Sequence, residues 1–225
     1  MKLLAIETST EACSAALYLD GHYLVDFKIA PRQHTELILP MCQQLLSQAE
    51  QKLSGLDAIA FGCGPGAFTG VRIAVSIAQG LAFAADLPVI PISSLAAIAQ
   101  GIHRQHGEKR IVSAFDARMD EVYWAVYECN DKPLAQLVGS EIVINPNQTP
   151  ALPNQSFVGV GSGWDRYATI FEEKYNNQLE IWYKQCFPNA MDIATLGIDL
   201  FKQGKFINPE HAVPSYVRNE VVRKK

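Results

Sequence analysis

The order of apolar and polar positions along the 225-residue chain predicts alternating groups of strands and helices. Short apolar runs between turn residues are typical of buried strands, and apolar positions three or four residues apart are typical of helices. In the first half these patterns predict strands at residues 3–7, 14–19, 24–29, 57–61 and 87–92. They predict helices at residues 35–50 and 71–85, and a third from Ser93 or Ser94 through Ile102. Tight turns between the first three strands indicate an antiparallel meander.

The strand pattern restarts roughly 105 residues further along, after a polar stretch at residues 103–109. It predicts strands at residues 110–116, 122–128 and 134–144, with an acidic turn at 116–121. We interpret the repeat as an internal duplication of a three-stranded unit with helical crossovers. The remaining predictions are a loop at 145–154, a strand at 157–160, a glycine turn at 159–163, and helices at 164–175 and 191–201.

Composition indicates a folded globular protein, since 48% of the residues are hydrophobic and 19% are charged. The formal net charge of −4 gives no support for unaided binding of nucleic acid. The exception is a basic C-terminal tail, which a larger complex could bring to RNA. It contains Arg218, Arg223, Lys224 and Lys225.

The absence of an expected signal peptide or membrane span, together with the cysteine pattern, favours a cytoplasmic protein. Glu7 interrupts the N-terminal apolar run too early for a signal peptide. Gln79 and Asp86 interrupt the longest apolar stretch, so no membrane span is expected. The five cysteines are scattered and form no Cys-x-x-Cys pair, which suggests neither a zinc site nor a disulfide framework. A reducing cytoplasm fits this cysteine pattern best.

A glycine-rich stretch, residues 62–72, lies between a predicted strand and a long helix of small residues. Backbone N–H groups at such a junction can bind an anion, although the order of residues matches neither a Walker loop nor a Gly-x-Gly-x-x-Gly fingerprint. A tight turn that binds nothing is an equally good interpretation. The candidate residues near a nucleotide are Gly64, Pro65, Gly66, Thr69, Gly70 and Arg72.

Carboxylates at two places in the sequence are candidates for a catalytic or metal site. Glu7 follows the first strand, and a turn capped by its neighbours is favoured over a catalytic role. Asp116, Asp120 and Glu121 are interpreted as an acidic turn that Arg118 neutralises in part. The five histidines have no nearby serine, cysteine or aspartate pattern that would indicate a hydrolase.

The stretches that resemble a known family are spread over the whole chain. They are residues 5–10, 13–17, 32–40, 64–72, 115–123 and 214–218. Together with the duplicated strands they resemble the bacterial TsaB (YeaZ) family, within the superfamily of actin-like proteins, sugar kinases and heat-shock ATPases. The family usually has serine where Ala67 stands and often leucine where Val217 stands.

The resemblance implies an α/β, duplicated actin-like (ribonuclease H-like) fold of two lobes, each with a mixed sheet and flanking helices. The first lobe is expected at residues 1–102, with 191–225 packed back on it, and a reduced second lobe at 103–190. The implied function is that of a non-catalytic organising subunit of the machinery that makes tRNA N6-threonylcarbamoyladenosine. Implied partners are the catalytic paralogue TsaD, the ATPase TsaE and a second copy of the chain, with tRNA contacted only through the complex.

The resemblance also implies what the chain lacks. Ser94 and Ile98 stand where the catalytic paralogue has two metal-binding histidines, and neither side chain can replace an imidazole ligand. No cofactor is expected on this chain alone, and ATP and a metal are expected in the partner subunits. Surplus apolar residues on the first helix are interpreted either as deeply buried or as a partner interface. The interface residues expected from the resemblance are His34, Leu37, Ile38, Met41 and Leu45.

Two rival functions stay open on the sequence. A stand-alone ATP-dependent small-molecule kinase or ATPase of the same superfamily would use residues 159–163 as a second phosphate loop. A metal-positioning aspartate would be needed where Glu7 stands, which weighs against that function. A peptidase would need a nucleophile and a base close together, and the sequence suggests no such pair.

Overall fold

The computed structural model describes residues 1–130 and 134–217, which form two compact units. Unit 1 consists of Met1–Ala97 and Phe187–Pro214, and unit 2 contains Ile98–Cys186. The predicted lobe boundaries after residues 102 and 190 lie a few residues further along the chain. Residues 215–217 group with unit 2, whereas the sequence placed them with the first lobe. The basic tail predicted from Arg218 onwards lies outside the described residues.

Unit 1 is built on a five-stranded mixed sheet with helices packed against it. The strands are β1 (Lys2–Glu7), β2 (Ala12–Leu19), β3 (His22–Ile29), β4 (Ala58–Gly64) and β5 (Val89–Ser93), in the order β3-β2-β1-β4-β5. The first three strands pair antiparallel, and β1, β4 and β5 run parallel. The helices that begin in this unit are α1 (His34–Gln48), α2 (Phe68–Ala85), α3 (Ser94–His106) and, late in the chain, α5 (Ala190–Lys202).

The core of unit 1 lies between the sheet and helices α1 and α2. Apolar side chains of alternate strand positions, such as Leu4, Ile6 and Phe61, are completely buried there. Helix α5 joins the same unit, because the Ser14 hydroxyl accepts the Ala190 N–H at 2.9 Å. The meander, the crossover helices and the late helix predicted from the apolar pattern are therefore confirmed.

Unit 2 repeats the strand arrangement of unit 1. Its strands are β6 (Arg110–Arg118), β7 (Glu121–Glu128), β8 (Gln136–Ile144), β9 (Phe157–Val160) and β10 (Leu179–Tyr183), and its further helix is α4 (Ser162–Lys174). The order β10-β9-β6-β7-β8 corresponds strand for strand to β5-β4-β1-β2-β3. The internal duplication predicted from the sequence is thus confirmed. Strand β10 was not predicted, although four of its five residues, Leu179, Ile181, Trp182 and Tyr183, are hydrophobic.

Aromatic side chains fill the core of unit 2. Trp164 is completely buried, stacks on Trp124 and lies 4.7 Å from Phe171 between ring centroids. The Trp164 indole N–H donates to the Val112 carbonyl at 2.9 Å, which pairs its one polar atom inside the core. The third tryptophan of the chain, Trp182, also belongs to unit 2, on β10.

Helix α2 differs from its sequence-based description in two ways. It begins at Phe68, three residues before the predicted start, so the last part of the glycine-rich stretch is already helical. By length and composition it could also cross a membrane, although no span was expected from the sequence. The same helix packs Val71, Ala74 and Ala78 into the unit 1 core.

Candidate functional site

The glycine-rich loop connects β4 to α2 and lies against the turn that follows β1. Gly64 has φ of 98°, a conformation that favours glycine. The Ala67 N–H donates to the Ser9 carbonyl at 2.7 Å, and the Thr8 hydroxyl donates to the Gly70 carbonyl at 2.7 Å. The loop is therefore fastened at both ends to residues 8 and 9.

Two glycines of this loop allow the close approach. A Cβ atom at Gly66 would lie 2.5 Å from the Ser9 carbonyl oxygen, and one at Gly70 would overlap the Thr8 carbonyl oxygen. Neither backbone position can accept a side chain without movement of the main chain. Packing within unit 1 thus explains why residues 66 and 70 are glycines. The hydrogen bond to Ser9 also uses the Ala67 N–H, which is then not free to bind a phosphate.

The other predicted nucleotide-proximal residues lie around the start of α2. Thr69 is exposed, while Pro65 is buried. The Arg72 guanidinium lies 3.2 Å from the Phe68 ring centroid and donates to the Phe68 carbonyl at 3.1 Å. Arg72 therefore folds back on the first turn of its own helix. Proximity of this loop to a nucleotide stays a prediction.

Glu7 forms a completely buried carboxylate centre at the end of β1. Its two oxygens accept hydrogen bonds from the Ser9 N–H at 2.5 Å and from the Ser94 hydroxyl at 2.8 Å. A Cβ atom at Gly62 would overlap the carboxylate, so the lack of a side chain there creates its space. Burial raises the pKa of Glu7, although the hydrogen bonds from Ser9 and Ser94 oppose the rise. The predicted turn with Ser9 is present.

We expect the replacement Glu7→Gln to change how stability depends on pH. Because burial raises the folded-state pKa of Glu7, the folded chain holds this proton more tightly than the unfolded chain. The contribution to stability is full below the unfolded pKa and is lost as the pH rises through the folded pKa. The amide cannot ionise, so its variant should gain stability relative to the parent between mildly acidic and alkaline pH. Urea unfolding across that range measures this.

The control is Glu11→Gln, which changes an exposed glutamate of the same turn region. It should leave the pH dependence of the parent unchanged. A Glu7→Gln variant whose unfolding free energy parallels that of the parent at every pH would contradict the expected role of the buried carboxylate.

The acidic turn between β6 and β7 is an ion-pair cluster. Asp116 Oδ2 lies 3.0 Å from Arg118 Nη1 and 3.3 Å from Arg166 Nη1. The predicted neutralisation by Arg118 is confirmed, and Arg166 on α4 adds a second cation that the sequence did not indicate. Within residues 1–130 and 134–217, no group of three or more His, Cys, Asp or Glu side chains could hold a metal ion.

The second glycine turn, residues 159–163, packs on the aromatic core of unit 2. A Cβ at Gly159 would overlap the Trp164 ring, and one at Gly163 would lie 2.9 Å from the Ala114 Cβ. These glycines are explained by contact with the core and with β6. Gly161, with φ of 103°, provides the sharp entry into α4. The packing gives no support to the rival interpretation as a phosphate loop.

The histidine contacts differ from those of a hydrolase. His34 Nε2 lies 3.2 Å from the Ala12 carbonyl oxygen, and His103 Nδ1 lies 2.8 Å from the Glu108 carbonyl oxygen. His106 stacks on the Tyr183 ring, and His211 lies beside Glu210. These contacts position the imidazoles against backbone oxygens, a ring and a carboxylate, whereas a peptidase base contacts its nucleophile.

The predicted partner interface on α1 needs a correction. Ile38, Met41 and Leu45 are at most 3% exposed and belong to the unit 1 core, so a partner cannot reach their side chains. They lie on the side of α1 that faces the sheet, which the residue spacing alone could not distinguish from the outer side. His34 is also buried, and Leu37 is partly exposed. An interface role for these last two residues stays a prediction.

Sequence reasoning missed an exposed apolar face on α2, which is formed by Ile73, Ser76, Ile77, Gly80, Phe83 and Ala84. Phe83 is 77% exposed, and Ile73 and Ile77 are partly exposed. The sequence offers only a partial signal: α2 has four polar side chains in 18 residues, Thr69, Arg72, Ser76 and Gln79, which is fewer than a helix with one apolar stripe usually carries, but the sequence does not indicate which apolar residues are exposed. An apolar helix face in water indicates a surface that another protein covers.

The start of α3 carries the two residues that stand at the expected metal positions. Ser94 is buried and its hydroxyl donates to Glu7. Ile98, one turn later on the helix, is 2% exposed. Both side chains are accommodated by contacts that hold the helix in place, and neither is a ligand of the kind that imidazole provides.

Comparison with known proteins gives one consistent family. The family model for TsaD, tRNA N6-adenosine threonylcarbamoyltransferase, matches residues 27–223. The chain is 41% identical to the tRNA threonylcarbamoyladenosine biosynthesis protein TsaB of Escherichia coli (strain K12), covering 100% of this chain and 98% of that protein. It is 42% identical to the Haemophilus influenzae protein of the same name, over 100% and 97% of the two chains.

Solved structures agree with the sequence comparison. YeaZ from Pseudomonas aeruginosa superposes with a TM-score of 0.86 at 40% identity, covering 96% of this chain and 99% of that chain. A second structure, described as an uncharacterized protein with similarity to peptidase YEAZ from Pseudomonas aeruginosa, gives a TM-score of 0.90 at 41% identity over the same shares. The similarity therefore extends over both units.

Proposed function

The chain belongs to the TsaB (YeaZ) family of tRNA threonylcarbamoyladenosine biosynthesis proteins, and we propose that it is a non-catalytic organising subunit there. In this role it pairs with a TsaD-type paralogue and a TsaE-type ATPase. The complex transfers threonylcarbamoyl from threonylcarbamoyl-AMP to the adenosine 3′ of the anticodon. ATP and the metal reside in the partner subunits, tRNA is bound through the complex, and the assembly is cytoplasmic.

The non-catalytic role is supported by the start of α3. A metal-dependent transferase needs ligands with lone pairs directed at one point, and histidine pairs provide them. Here the corresponding positions carry the Ser94 hydroxyl, already hydrogen-bonded to Glu7, and the buried alkyl chain of Ile98. The chemistry of the complex is therefore assigned to another subunit.

The glycine loop supports the same role. In a nucleotide-binding loop, backbone N–H groups remain directed at the phosphates. Here Ala67 donates its N–H to Ser9, and the backbone of residues 8 and 9 packs against Gly66 and Gly70 in the space that a side chain would take. The loop connects β4 to α2 and is hydrogen-bonded to the turn after β1, so we assign it a structural part in holding α2 in place.

The exposed face of α2 is the observation that carries the assembly role. Its small residues Ser76, Gly80 and Ala84 allow another helix to approach closely, and Phe83 at its edge supplies a large apolar contact. The N-terminal first turn of the same helix is fixed by the glycine loop. We assign this face to the paralogue, since the TsaD family model matches residues 27–223, a range that includes α2.

The replacement Phe83→Glu tests the assembly role. It places a charge in the largest apolar contact of the face and should weaken binding of the TsaD-type paralogue about thirtyfold, a loss typical of an interface hot spot. Mass photometry and sedimentation of the two purified proteins measure the association. Because Phe83 is exposed in the isolated chain, its replacement should leave unfolding by urea unchanged.

The matched control is Ile181→Glu, which places the same charge at an exposed apolar position of unit 2. It should leave binding of the paralogue unchanged. If the parent chain and the paralogue are folded and do not associate, the proposed function is wrong. If they associate and Phe83→Glu binds as tightly as the parent, the assignment of the α2 face is wrong.

A further inference from the structure

Strand β3 is the outer strand of the unit 1 sheet, and one of its edges has no neighbouring strand among the described residues. Which residues point their backbone groups outwards follows from the register with β2. Ala30 donates its N–H to the Glu11 carbonyl, so the alternate pairs Lys28–Cys13, Asp26–Ala15 and Leu24–Leu17 are the hydrogen-bonded ones. The N–H and C=O groups of Val25, Phe27 and Ile29 are therefore directed away from β2.

The same outward-directed residues form an apolar row. Val25, Phe27 and Ile29 are 39%, 38% and 62% exposed, and successive alternate residues of a strand share one face. The opposite face of the strand carries Asp26 and Lys28, which have opposite charges two residues apart. A long, apolar edge strand with unpaired backbone groups is a template for pairing with another strand.

The edge is complementary to itself in one antiparallel register. If Phe27 of one copy lies opposite Phe27 of a second copy, Val25 lies opposite Ile29. Asp26 then lies opposite Lys28, and Lys28 opposite Asp26, on the other face. The register also satisfies the backbone, because the outward-directed residues of one copy meet those of the other as hydrogen-bonded pairs.

The neighbouring registers are unfavourable for an equally direct reason. The nearest other registers that keep the outward-directed backbone groups paired have their two-fold axis at residue 26 or residue 28 instead of residue 27. Centred on Asp26 it places two aspartates opposite each other, and centred on Lys28 it places two lysines opposite each other. Like charges directly opposite on a sheet destabilise pairing. The alternation of charge along β3 thus selects the register centred on Phe27.

We propose that β3 pairs antiparallel with β3 of a second copy of this chain, which joins two unit 1 sheets into one. The occupant of the edge is a second copy because the apolar row and the charges both match their own image under a two-fold axis through Phe27. This surface is separate from the α2 face, since it lies at the sheet edge and uses different residues. The proposal does not depend on the proposed function.

A symmetric disulfide tests the register directly. In a hydrogen-bonded antiparallel pair the two Cα atoms lie about 5.5 Å apart, which a disulfide can bridge. The variant Phe27→Cys, in a chain that carries Cys186→Ser to remove the partly exposed native cysteine, should form a covalent dimer under mild oxidation. Non-reducing electrophoresis with and without reductant measures the product.

The control is Val25→Cys in the same background, because Val25 and Phe27 are almost equally exposed. In the proposed register the two copies of residue 25 are four residues out of line, about 13 Å apart, and should not cross-link. A dimer from Phe27→Cys but not from Val25→Cys supports the proposal. Equal cross-linking of both variants, or of neither, would overturn it.

Charge exchange provides an independent test. Asp26→Lys places two lysines opposite each other, and Lys28→Asp places two aspartates opposite each other. Each variant alone should self-associate about tenfold more weakly than the parent. An equimolar mixture of the two, and the double variant Asp26→Lys/Lys28→Asp, should regain the affinity of the parent in sedimentation velocity. A double variant as weak as the single ones would overturn the register.

Variants of the two surfaces distinguish self-association through β3 from binding of the paralogue through the α2 face. Phe83→Glu should bind the paralogue about thirtyfold more weakly and still form the cross-link through position 27. Lys28→Asp should self-associate about tenfold more weakly and bind the paralogue as the parent does. A Phe83→Glu variant, in the Phe27→Cys background, that no longer cross-links would show that β3 pairing is secondary to the α2 face and would overturn the proposal of an independent surface.

Discussion

Replacing Gly70 with alanine is expected to lower the free energy of unfolding of unit 1 by about 3 kcal/mol, at the upper end of the usual cost of overpacking. The added Cβ would overlap the Thr8 carbonyl oxygen, which is main chain and cannot turn aside as a side chain can. Relief requires the turn after β1 and the start of α2 to separate. That movement strains the hydrogen bond from the Thr8 hydroxyl to the Gly70 carbonyl. Urea unfolding followed by far-UV circular dichroism measures the loss.

The same helix provides a control of opposite sign. Gly80 has no atom within 4 Å of an added Cβ, so alanine fits there without contact. Because alanine favours a helix more than glycine does, Gly80→Ala should raise the free energy of unfolding by about 0.5–1 kcal/mol. Equal effects of Gly70→Ala and Gly80→Ala would contradict the packing assigned to the glycine loop.

Replacing Trp164 with alanine should be the most damaging substitution in unit 2. A buried tryptophan that becomes alanine typically costs about 3–5 kcal/mol, through lost burial and the cavity left behind. Trp164 is completely buried, stacks against Trp124 and satisfies the Val112 carbonyl. We expect a loss of about 4 kcal/mol, since that carbonyl would also lose its donor. A fall in the urea midpoint of unit 2 measures it.

Trp182→Ala serves as the matched control for this substitution. Trp182 is partly exposed on the outer strand β10, and its indole N–H donates to the exposed side chain of Glu172. Its removal should cost about 1 kcal/mol, typical of a substitution outside the core. Similar losses for Trp164→Ala and Trp182→Ala would show that the aromatic cluster does not determine the stability of unit 2.

The order of elements could be predicted from the sequence because local patterns determine it. The apolar run in β2 and the helical spacing in α1 are local signals, and both elements are found within a few residues of the expected ends. Strand β10 was missed because it is only five residues long, lies between polar stretches and has no fully buried residue. Only pairing with β9 makes it a strand, and pairing is a property of the folded chain.

The candidate site was predicted less well than the fold. The spacing of Ile38, Met41 and Leu45 correctly predicts an apolar stripe on α1, but a core stripe and an interface stripe have the same spacing. Which helix exposes apolar surface depends on how the helices pack on the sheet. The exposed face of α2 therefore emerged only from the structure, as did the second cation, Arg166, beside Asp116.

The sequence of the glycine-rich loop is compatible with two different structural roles. Its composition is equally typical of a phosphate-binding loop and of a tight structural turn. The distinction rests on long-range contacts, because Ser9 and Thr8 are about sixty residues away in sequence from Ala67 and Gly70. The sequence of the loop alone does not indicate that Thr8 and Ser9, in the turn after β1, pack against it.

The placement of the tryptophans has a practical consequence for following this protein in solution. All three, Trp124, Trp164 and Trp182, belong to unit 2, and the described part of unit 1 contains none. Intrinsic fluorescence excited at the red edge of the indole band is therefore an optical reporter of one half of the molecule. Compared with circular dichroism, which observes both halves, it reveals whether the two duplicated units melt together or in sequence, without any label.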